Sequence, residues 1–291
     1  MESVYITTDS NSGITPGYAK EHGIGVIAMP FTVNGRVYHE NEDLAPQELE
    51  KMIEQEAEVS TSQAEPQGLA ELWGRALEKY DRVVHIPMSS GLSGSCSTAF
   101  ALAQEYGGRV SVVDNRRVSV TQKQSVLEAN AMARAGKTAE EICAMLDRMA
   151  AQSRIYLSVE TLTYLKRGGR ITPAAAGLAT VLSIRPVLLI AGGKLEKFDA
   201  PRGTRRARKL LMDAIEKDRD TMFEGQKTVI RAAYSTYDAS VQDWIRELTV
   251  RFPEHSVFVD RLPANVTCHV GPGACGLTVS AVPEETGEVD F

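Results

Sequence analysis

The chain has 291 residues, 43% of them hydrophobic, and a formal net charge of −6. This length exceeds that of most single hydrophobic cores, so we predict two domains. The acidic balance argues against nucleic acid as the main partner, because proteins that bind nucleic acid usually carry a basic patch on a basic domain.

The first half of the chain alternates predicted strands with predicted helices. The predicted strands cover residues 4–8, 24–29, 82–86 and 109–113, and the predicted helices cover 48–58, 69–80, 95–106 and 138–151. Such alternation indicates βαβ units. We therefore predict a first domain of three layers, α/β/α, around a parallel sheet.

The second half has a different pattern. Predicted strands cover 155–159, 186–191, 195–200, 228–234, 256–260 and 277–282, and predicted helices lie before 165 and over 173–182, 204–218 and 239–251. Gly192-Gly193 between two apolar strands predicts a hairpin, which requires antiparallel neighbours. We expect a two-layer α/β domain with a mixed sheet, and place the boundary at 152/153, which gives domains 1–152 and 153–291.

The cysteines and the longest apolar run bear on the compartment. No signal peptide is recognisable, and the four cysteines lack C-x-x-C spacing. The apolar run at 186–191 is much shorter than the roughly 20 residues of a membrane-spanning helix. We expect a cytoplasmic protein with reduced thiols and no integral membrane segment.

Two hydroxyl-rich stretches stand out, S-T-S-Q at 60–63 and S-S-G-L-S-G-S at 89–95. Hydroxyls and backbone N–H groups suit a small anion such as a carboxylate or phosphate. In open α/β sheets, ligands bind beyond the carboxyl ends of strands, where the second stretch lies. Ordinary helix capping is the alternative for both stretches, since serine and threonine are common N-caps.

An enzymatic alternative, a phosphotransferase or hydrolase, uses Ser93 as nucleophile and His269, expected in the glycine-rich loop 268–276, as its base. The glycine after Ser93 comes one position too early for a G-x-S-x-G elbow, and a Walker-type loop is missing. Cys268, His269 and Cys275 have no second cluster at zinc-type spacing, so we expect no metal.

Two basic segments allow more than one interpretation. K-R-G-G-R at 166–170 is either a solvated turn or a bend that points one arginine inward. A basic cluster occupies the predicted start of a helix, where the macrodipole disfavours cations, and consists of Arg202, Arg205, Arg206, Arg208 and Lys209. An acidic partner protein or a phosphate would account for it.

Five motifs occur in order: D-S at 9–10, S-T-S-Q at 60–63, S-G-L-S-G at 90–94, L-K-R-G-G-R-I at 165–171 and H-V-G-P-G at 269–273. Together they resemble the DegV family of bacterial fatty-acid-binding proteins over essentially the whole chain. The resemblance implies a two-domain α/β fold with a long-chain fatty acid, such as palmitate, buried in the cleft between the domains.

The resemblance also implies roles for particular residues. The fatty-acid carboxylate would be held by Thr61 and Ser93. Residues expected near the head group are Ser62, Gly94, Arg170 and His269. Some members present the fatty acid to a separate fatty-acid kinase, and the arginine that matches their docking position is Arg202.

Three positions depart from the family pattern. The usual aromatic is missing after Ser93-Gly94, Val270 replaces a common hydroxyl residue, and Gly203 is inserted after Arg202. The last departure affects the docking prediction more than the lipid prediction.

The energetics of such a site assign affinity to the tail. Burying roughly 15 methylenes contributes about 12 kcal/mol before ordering costs, whereas a hydrogen bond to a charged group contributes about 1.5–3 kcal/mol. We expect the tail to lie near 173–182 and 187–190. The favoured function is a non-catalytic, monomeric lipid-binding protein without a cofactor, for transport or for presentation to a kinase, and a sensor domain is a further alternative.

Overall fold

The computed structural model describes residues 2–172 and 183–286, so the predicted helix at 173–182 lies outside the described residues. The strands are β1 (Val4–Asp9), β2 (Gly25–Ile27), β3 (Pro30–Val33), β4 (Arg36–His39), β5 (Val59–Thr61), β6 (Arg82–Ile86), β7 (Val110–Val112), β8 (Ser153–Ser158), β9 (Val187–Ala191), β10 (Lys194–Asp199), β11 (Thr228–Tyr234), β12 (Phe258–Arg261) and β13 (Cys275–Ala281). The helices are α1 (Pro16–His22), α2 (Pro46–Glu54), α3 (Pro66–Leu77), α4 (Ser95–Ala103), α5 (Val120–Arg134), α6 (Ala139–Met149), α7 (Thr163–Arg167), α8 (Thr204–Thr221), α9 (Ala239–Arg251) and α10 (Ala264–Val270).

The first half is built on a four-stranded parallel sheet in the order β2-β1-β6-β7. On one face, Val83 and Val110 pack with Trp73 of α3 and Ala99 of α4. On the other face, Ile6 and Val84 belong to the same buried cluster as residues of α5 and α6. The predicted three-layer α/β/α arrangement is confirmed.

The second half is built on a six-stranded sheet in the order β10-β9-β8-β13-β11-β12. All its pairs are antiparallel except β11 with β12, so the predicted mixed sheet is confirmed. Helices α8 and α9 cover one face, where the Tyr156 hydroxyl donates to Asp218 of α8 at 2.6 Å. The opposite face turns toward the first half of the chain, and α5 packs against β11 there. The boundary at 152/153 stays a prediction; it falls between α6 and β8.

A small antiparallel sheet in the order β4-β3-β5 was missed by the sequence analysis. The strand predicted at 24–29 is present but shorter, because β2 covers Gly25–Ile27 and a separate strand begins at Pro30. The hairpin between β3 and β4 turns at Asn34 and Gly35, both with positive φ (49° and 80°). Asn-Gly is a strong hairpin signal, so this element was readable from the sequence.

Two further elements differ from expectation. Helix α5 was not predicted, because it is buried on most of its surface, polar residues included, and so lacks an amphipathic period. The predicted loop around His269 was wrong, since His269 lies in the last turn of α10. The β-branched residues of that helix make it a weak helix by propensity, and tertiary packing holds it.

Several local predictions agree with the structure. The hairpin at Gly192-Gly193 joins β9 to β10, and Pro46 and Pro66 stand at the starts of their helices. All four cysteines are free thiols. Within the two described ranges, no helix is both long enough and apolar enough to cross a membrane.

Candidate functional site

The two hydroxyl-rich stretches lie side by side. Strand β5 ends at Thr61, and the chain then runs along the start of α4. The amide of Ala64 donates to Ser95 Oγ at 3.4 Å, and Thr98 Oγ1 donates to Gln63 Oε1 at 2.9 Å. The polar stretch after β5 is therefore joined directly to the loop before α4.

Carboxylates at the ends of two parallel strands hold the loop at 89–93. Asp9, at the end of β1, accepts from the Met88 amide at 2.8 Å. Asp114, after β7, accepts from the Ser90 amide at 3.2 Å and also from the Ser90 hydroxyl. Burial raises the pKa of Asp9, and its hydrogen bonds oppose this shift. These acids are used to shape the loop.

Ser93 is half-buried and stands just before α4. Its Oγ lies 3.0 Å from Ser95 Oγ and accepts from the Ser95 amide at 3.2 Å. These contacts fix the Ser93 side chain at the start of the helix, where the positive end of the macrodipole favours an anion.

The hairpin of the second sheet packs directly on this loop. A Cβ at Gly91 would lie 2.2 Å from the Gly193 carbonyl oxygen, and a Cβ at Gly193 would lie 2.3 Å from Ser89 Oγ. Gly193 also has a positive φ of 81°. The close approach of the two halves at this point requires glycine on both sides.

Thr61 and His269 form the central contact of the site. Thr61 Oγ1 lies 2.8 Å from His269 Nε2. The imidazole packs against Gly168, where a Cβ would lie 2.1 Å from Nδ1. Burial, with a smaller contribution from the charge of Arg170, lowers the pKa of His269 to about 4. His269 is therefore neutral at pH 7.

Arg170 connects the second half to the serine loop. Its Nε donates to the Leu92 carbonyl at 3.2 Å, and its Nη1 donates to the Gly168 carbonyl at 2.6 Å. Of the two interpretations of the basic glycine turn, the inward-pointing arginine is correct. The guanidinium places a positive charge beside His269 and bonds to Leu92, the residue that precedes Ser93.

The other predicted site residues take more peripheral positions. Ser62 is exposed and its amide donates to the Pro30 carbonyl at 3.2 Å. Gly94 is exposed beside Gln63. Arg202 is exposed ahead of α8. Within the basic cluster, Arg208 is instead buried, and its Nη1 donates to the Ser240 carbonyl at 2.6 Å, so it serves the packing of α8 on α9.

A cavity of about 570 Å³ borders the Thr61–His269 pair. This volume lies within the usual range for small-molecule sites. Its walls combine hydroxyl, basic, acidic and apolar groups, among them Glu56, Glu58, Val59, Thr61, Tyr164, Arg167, Arg170, Cys268 and His269.

The geometry bears on the enzymatic alternative. His269 is hydrogen-bonded to Thr61, and Ser93 to Ser95, so the expected Ser93–His269 pair is not the one observed. In the described part of the chain, His269 Nδ1 makes no hydrogen bond. A catalytic base is normally oriented by a third group at this nitrogen. Residues 2–172 and 183–286 also hold no group of three or more His, Cys, Asp or Glu side chains suited to a metal ion.

The fold and the site define a two-domain α/β protein whose hydroxyl-lined site is assembled from both halves of the chain. Residues 3–282 match the DegV family, described as "Uncharacterised protein, DegV family". The chain belongs to this family.

Relatives and solved structures support the same assignment over almost the whole length. A DegV domain-containing protein from Deinococcus radiodurans is 31% identical over 283 residues, covering 95% of this chain and 98% of the relative. A DegV family protein from Thermus thermophilus, described by its fatty acid binding, superposes with a TM-score of 0.88 at 30% identity, covering 96% of this chain and 100% of its own. A DegV lipid-binding protein from Thermotoga maritima superposes with a TM-score of 0.81 at 25% identity, covering 96% of this chain and 99% of its own.

Sequence reasoning missed several residues that build the site. Gly168 and Gly193 leave room for His269 and for the serine loop. Tyr164 lines the cavity, and a Cβ at Gly271 would lie 2.3 Å from its ring. The glycines were visible in the sequence, but their partners lie far away along the chain, so no local signal identified what they contact.

The lowered pKa of His269 predicts a stability effect. Between pH 6.5 and about 4, the unfolded chain binds a proton on this imidazole and the folded chain does not, so the free energy of unfolding should fall as the pH falls. In His269→Gln this fall should be smaller by up to about 3 kcal/mol, since one pKa unit corresponds to about 1.4 kcal/mol. Urea denaturation at a series of pH values measures the free energy of unfolding of both proteins. If the two plots of this free energy against pH run parallel, the prediction is wrong.

Proposed function

We propose that this protein binds a long-chain fatty acid, such as palmitate, with its carboxylate at Thr61 and Ser93 and its tail between the two halves of the chain. The fatty acid binding described for the Thermus thermophilus relative, 30% identical over nearly the full length, supports this proposal. The protein then acts as a non-catalytic, cytoplasmic and monomeric lipid carrier.

The observation that carries the proposal is the 2.8 Å contact between Thr61 Oγ1 and His269 Nε2. A neutral imidazole has one N–H. We assign it to Nε2, because Nδ1 has no hydrogen-bond partner among residues 2–172 and 183–286, and a hydrogen there would be a buried donor without an acceptor, which is rare. His269 then donates to Thr61, and the Thr61 hydroxyl hydrogen is free to donate to a ligand carboxylate.

The charges around the Thr61–His269 pair favour an anion without forming a direct ion pair with it. Arg170 raises the local positive potential, while two of its donors are directed to the carbonyls of Leu92 and Gly168. Neutral hydroxyls make the direct contacts. A carboxylate held in this way keeps more of its nucleophilic character than one held by an arginine pair, which suits a carrier that presents its ligand for phosphorylation.

A buried apolar cluster provides the environment for the tail. It lies between the second sheet and the first half of the chain and contains Met88, Val118, Val120, Ile155, Leu157, Leu188, Ile190 and Leu195, with Leu92 packed against it. Leu188 pairs with Leu157 across β8 and β9. Because Leu92 adjoins Ser93, the cluster begins immediately behind the proposed head-group site. Of the expected tail region, β9 lies here, with Leu188 and Ile190 facing the cluster.

Removing the proposed donors should weaken binding of the fatty acid. Thr61→Val and Ser93→Ala should each raise the Kd for palmitate by about 10- to 100-fold, because each removes a hydrogen bond to a charged group worth about 1.5–3 kcal/mol. Titration calorimetry measures the Kd. Ser97→Ala, which removes an exposed hydroxyl from α4 just after Ser93, is the matched control.

Mass spectrometry of the denatured wild-type protein should also detect a co-purified fatty acid. If preparations carry no acyl chain and palmitate neither binds nor raises the Tm, the proposed function is wrong. Turnover of an ester or phosphoester that depends on Thr61 or Ser93 would favour an enzyme instead.

The position of the tail has its own test. Leu188→Trp should raise the Kd for palmitate at least about tenfold, since the larger side chain would compete with the tail for volume among the apolar side chains of this cluster. Leu189→Trp is the matched control. Leu189 is the next residue and packs on the opposite face of the sheet, against the separate hydrophobic cluster beneath α8. Equal Kd values for palmitate in these two variants would place the tail elsewhere.

Docking to a fatty-acid kinase is the finer part of the proposal. Arg202, Arg205 and Arg206 are exposed, and none of them has an acidic partner among the described ion pairs. Arg202→Glu should slow formation of acyl phosphate by the partner kinase at least about tenfold, through charge repulsion, while the Kd for palmitate is unchanged. Arg75→Glu, at an exposed position on α3, is the control. Equal phosphorylation rates for Arg202→Glu and wild type would exclude this docking surface.

A further inference from the structure

Glu40 is a buried acid that joins three separate parts of the chain. It follows β4 and is only 8% exposed. One carboxylate oxygen accepts from the Ser10 hydroxyl at 2.9 Å, just beyond β1. The other oxygen accepts from the amide of Ala264, the first residue of α10. A single side chain thus ties the parallel sheet and the small sheet to a helix of the second half.

Neighbouring hydrogen bonds reinforce this connection. The Met29 amide donates to Ser10 Oγ at 3.0 Å, and Asn265 Nδ2 donates to the Met29 carbonyl at 3.4 Å. The first turn of α10 is therefore held through both Glu40 and Asn265. Both connections lead to the same point, the end of β1 and the residue before β3.

The other end of α10 carries His269. The helix has seven residues, which corresponds to a length of only about 10 Å. A shift or tilt of its first turn is therefore passed to His269 almost undiminished. His269 tolerates little shift, because it packs on Gly168 and must keep its 2.8 Å contact with Thr61.

Glu40 is held without a cation. None of the ion pairs within the described ranges includes it, and its donors are neutral: the Ser10 hydroxyl, the Ala264 amide and the Asn265 side-chain amide. Burial, with a smaller contribution from Asp9, raises the pKa of Glu40 to about 7, and the hydrogen bonds from Ala264 and Ser10 oppose this shift. Burial of an acid without a counter-charge is unfavourable. A purely apolar side chain would be better there unless the two acceptor oxygens are needed.

We propose that Glu40 is a positioning residue: it fixes the start of α10 so that His269 orients the Thr61 hydroxyl toward the ligand carboxylate. Glu40 acts through the helix and not by touching the lipid. The inference rests on the proposed function for the identity of the ligand, and on the Glu40–Ala264 and Thr61–His269 contacts for the mechanism.

The test compares a carboxylate with an uncharged head group. Glu40→Ala should raise the Kd for palmitate (hexadecanoate) by about tenfold, because the misdirected Thr61 hydroxyl would lose its charge-assisted hydrogen bond to the ligand carboxylate. The Kd for hexadecanol, which has no carboxylate, should change by less than about twofold. Glu40→Gln retains one acceptor oxygen and should fall between Glu40→Ala and wild type. A general loss of stability would weaken the binding of both ligands equally. A difference between the two changes in Kd is therefore specific to the orientation of the head group.

A double-mutant cycle tests the route through His269. In a His269→Ala background, Glu40→Ala should change the Kd for hexadecanoate by less than about twofold, because the group that it positions is gone. The matched control is Glu128→Ala. Glu128 is likewise buried with its pKa raised to about 7, but it bonds to Gln124 within α5 and not to α10.

A measurement on the ligand-free protein keeps this inference separate from the proposed function. With ¹⁵N-labelled histidine, the His269 Nε2 resonance should move in Glu40→Ala and stay in place in Glu128→Ala. If it does not move, or if Glu40→Ala weakens hexadecanol as much as hexadecanoate, the positioning role is wrong even where wild type binds the fatty acid. If the resonance moves but wild type binds no fatty acid, the positioning role stands and the proposed function falls.

Discussion

The hydrogen bond between Thr61 and His269 joins residues 208 positions apart, one on an edge strand of the small sheet and one on a short helix of the second half. Most other features of the site support this contact. Gly168 leaves room for the imidazole, burial and to a smaller extent Arg170 lower its pKa, and β5 places Thr61 at the end of a strand. A neutral histidine beside a hydroxyl gives the site a directed donor that carries no charge.

Glycine contacts bring the two halves close enough for this bond to form. The approach of Gly91 to Gly193 and of Gly168 to His269 leaves no space for a side chain. At such points the backbone itself is the packing surface, and distances are set more tightly than by flexible side chains. The serine loop and the histidine are thereby held in one frame.

The acids around the site are used to hold structure. Asp9 accepts from the Met88 amide just before the serine loop, Asp114 accepts from the Ser90 amide within it, and Glu40 accepts from the first amide of α10. Each accepts from a backbone N–H group, so none of these three carboxylates faces the Thr61–His269 pair. An anionic ligand at this pair therefore meets donors, and the carboxylates of Asp9, Asp114 and Glu40 are already hydrogen-bonded.

Segments with a regular hydrophobic pattern, or with clear capping and turn residues, were predictable from the sequence. The strand at 82–86, the capping box at Thr138, the Gly192-Gly193 hairpin and the two hydroxyl stretches all follow from local chemistry that is complete within a few residues. The motif order also pointed to the family. Local patterns are sufficient here because capping, turns and alternation depend on near neighbours.

Tertiary structure alone decided the rest. Helix α5 is buried between the halves and has no amphipathic period, α10 is weak by propensity, and β5 is held as a strand by its pairing with the distant β3. Likewise, only the fold showed that His269 meets Thr61 and not Ser93, and that Glu40 reaches Ala264 across 224 positions. The sequence determined which groups were available to bind an anion. Their pairing depended on long-range packing, because a partner that is distant along the chain leaves no local pattern.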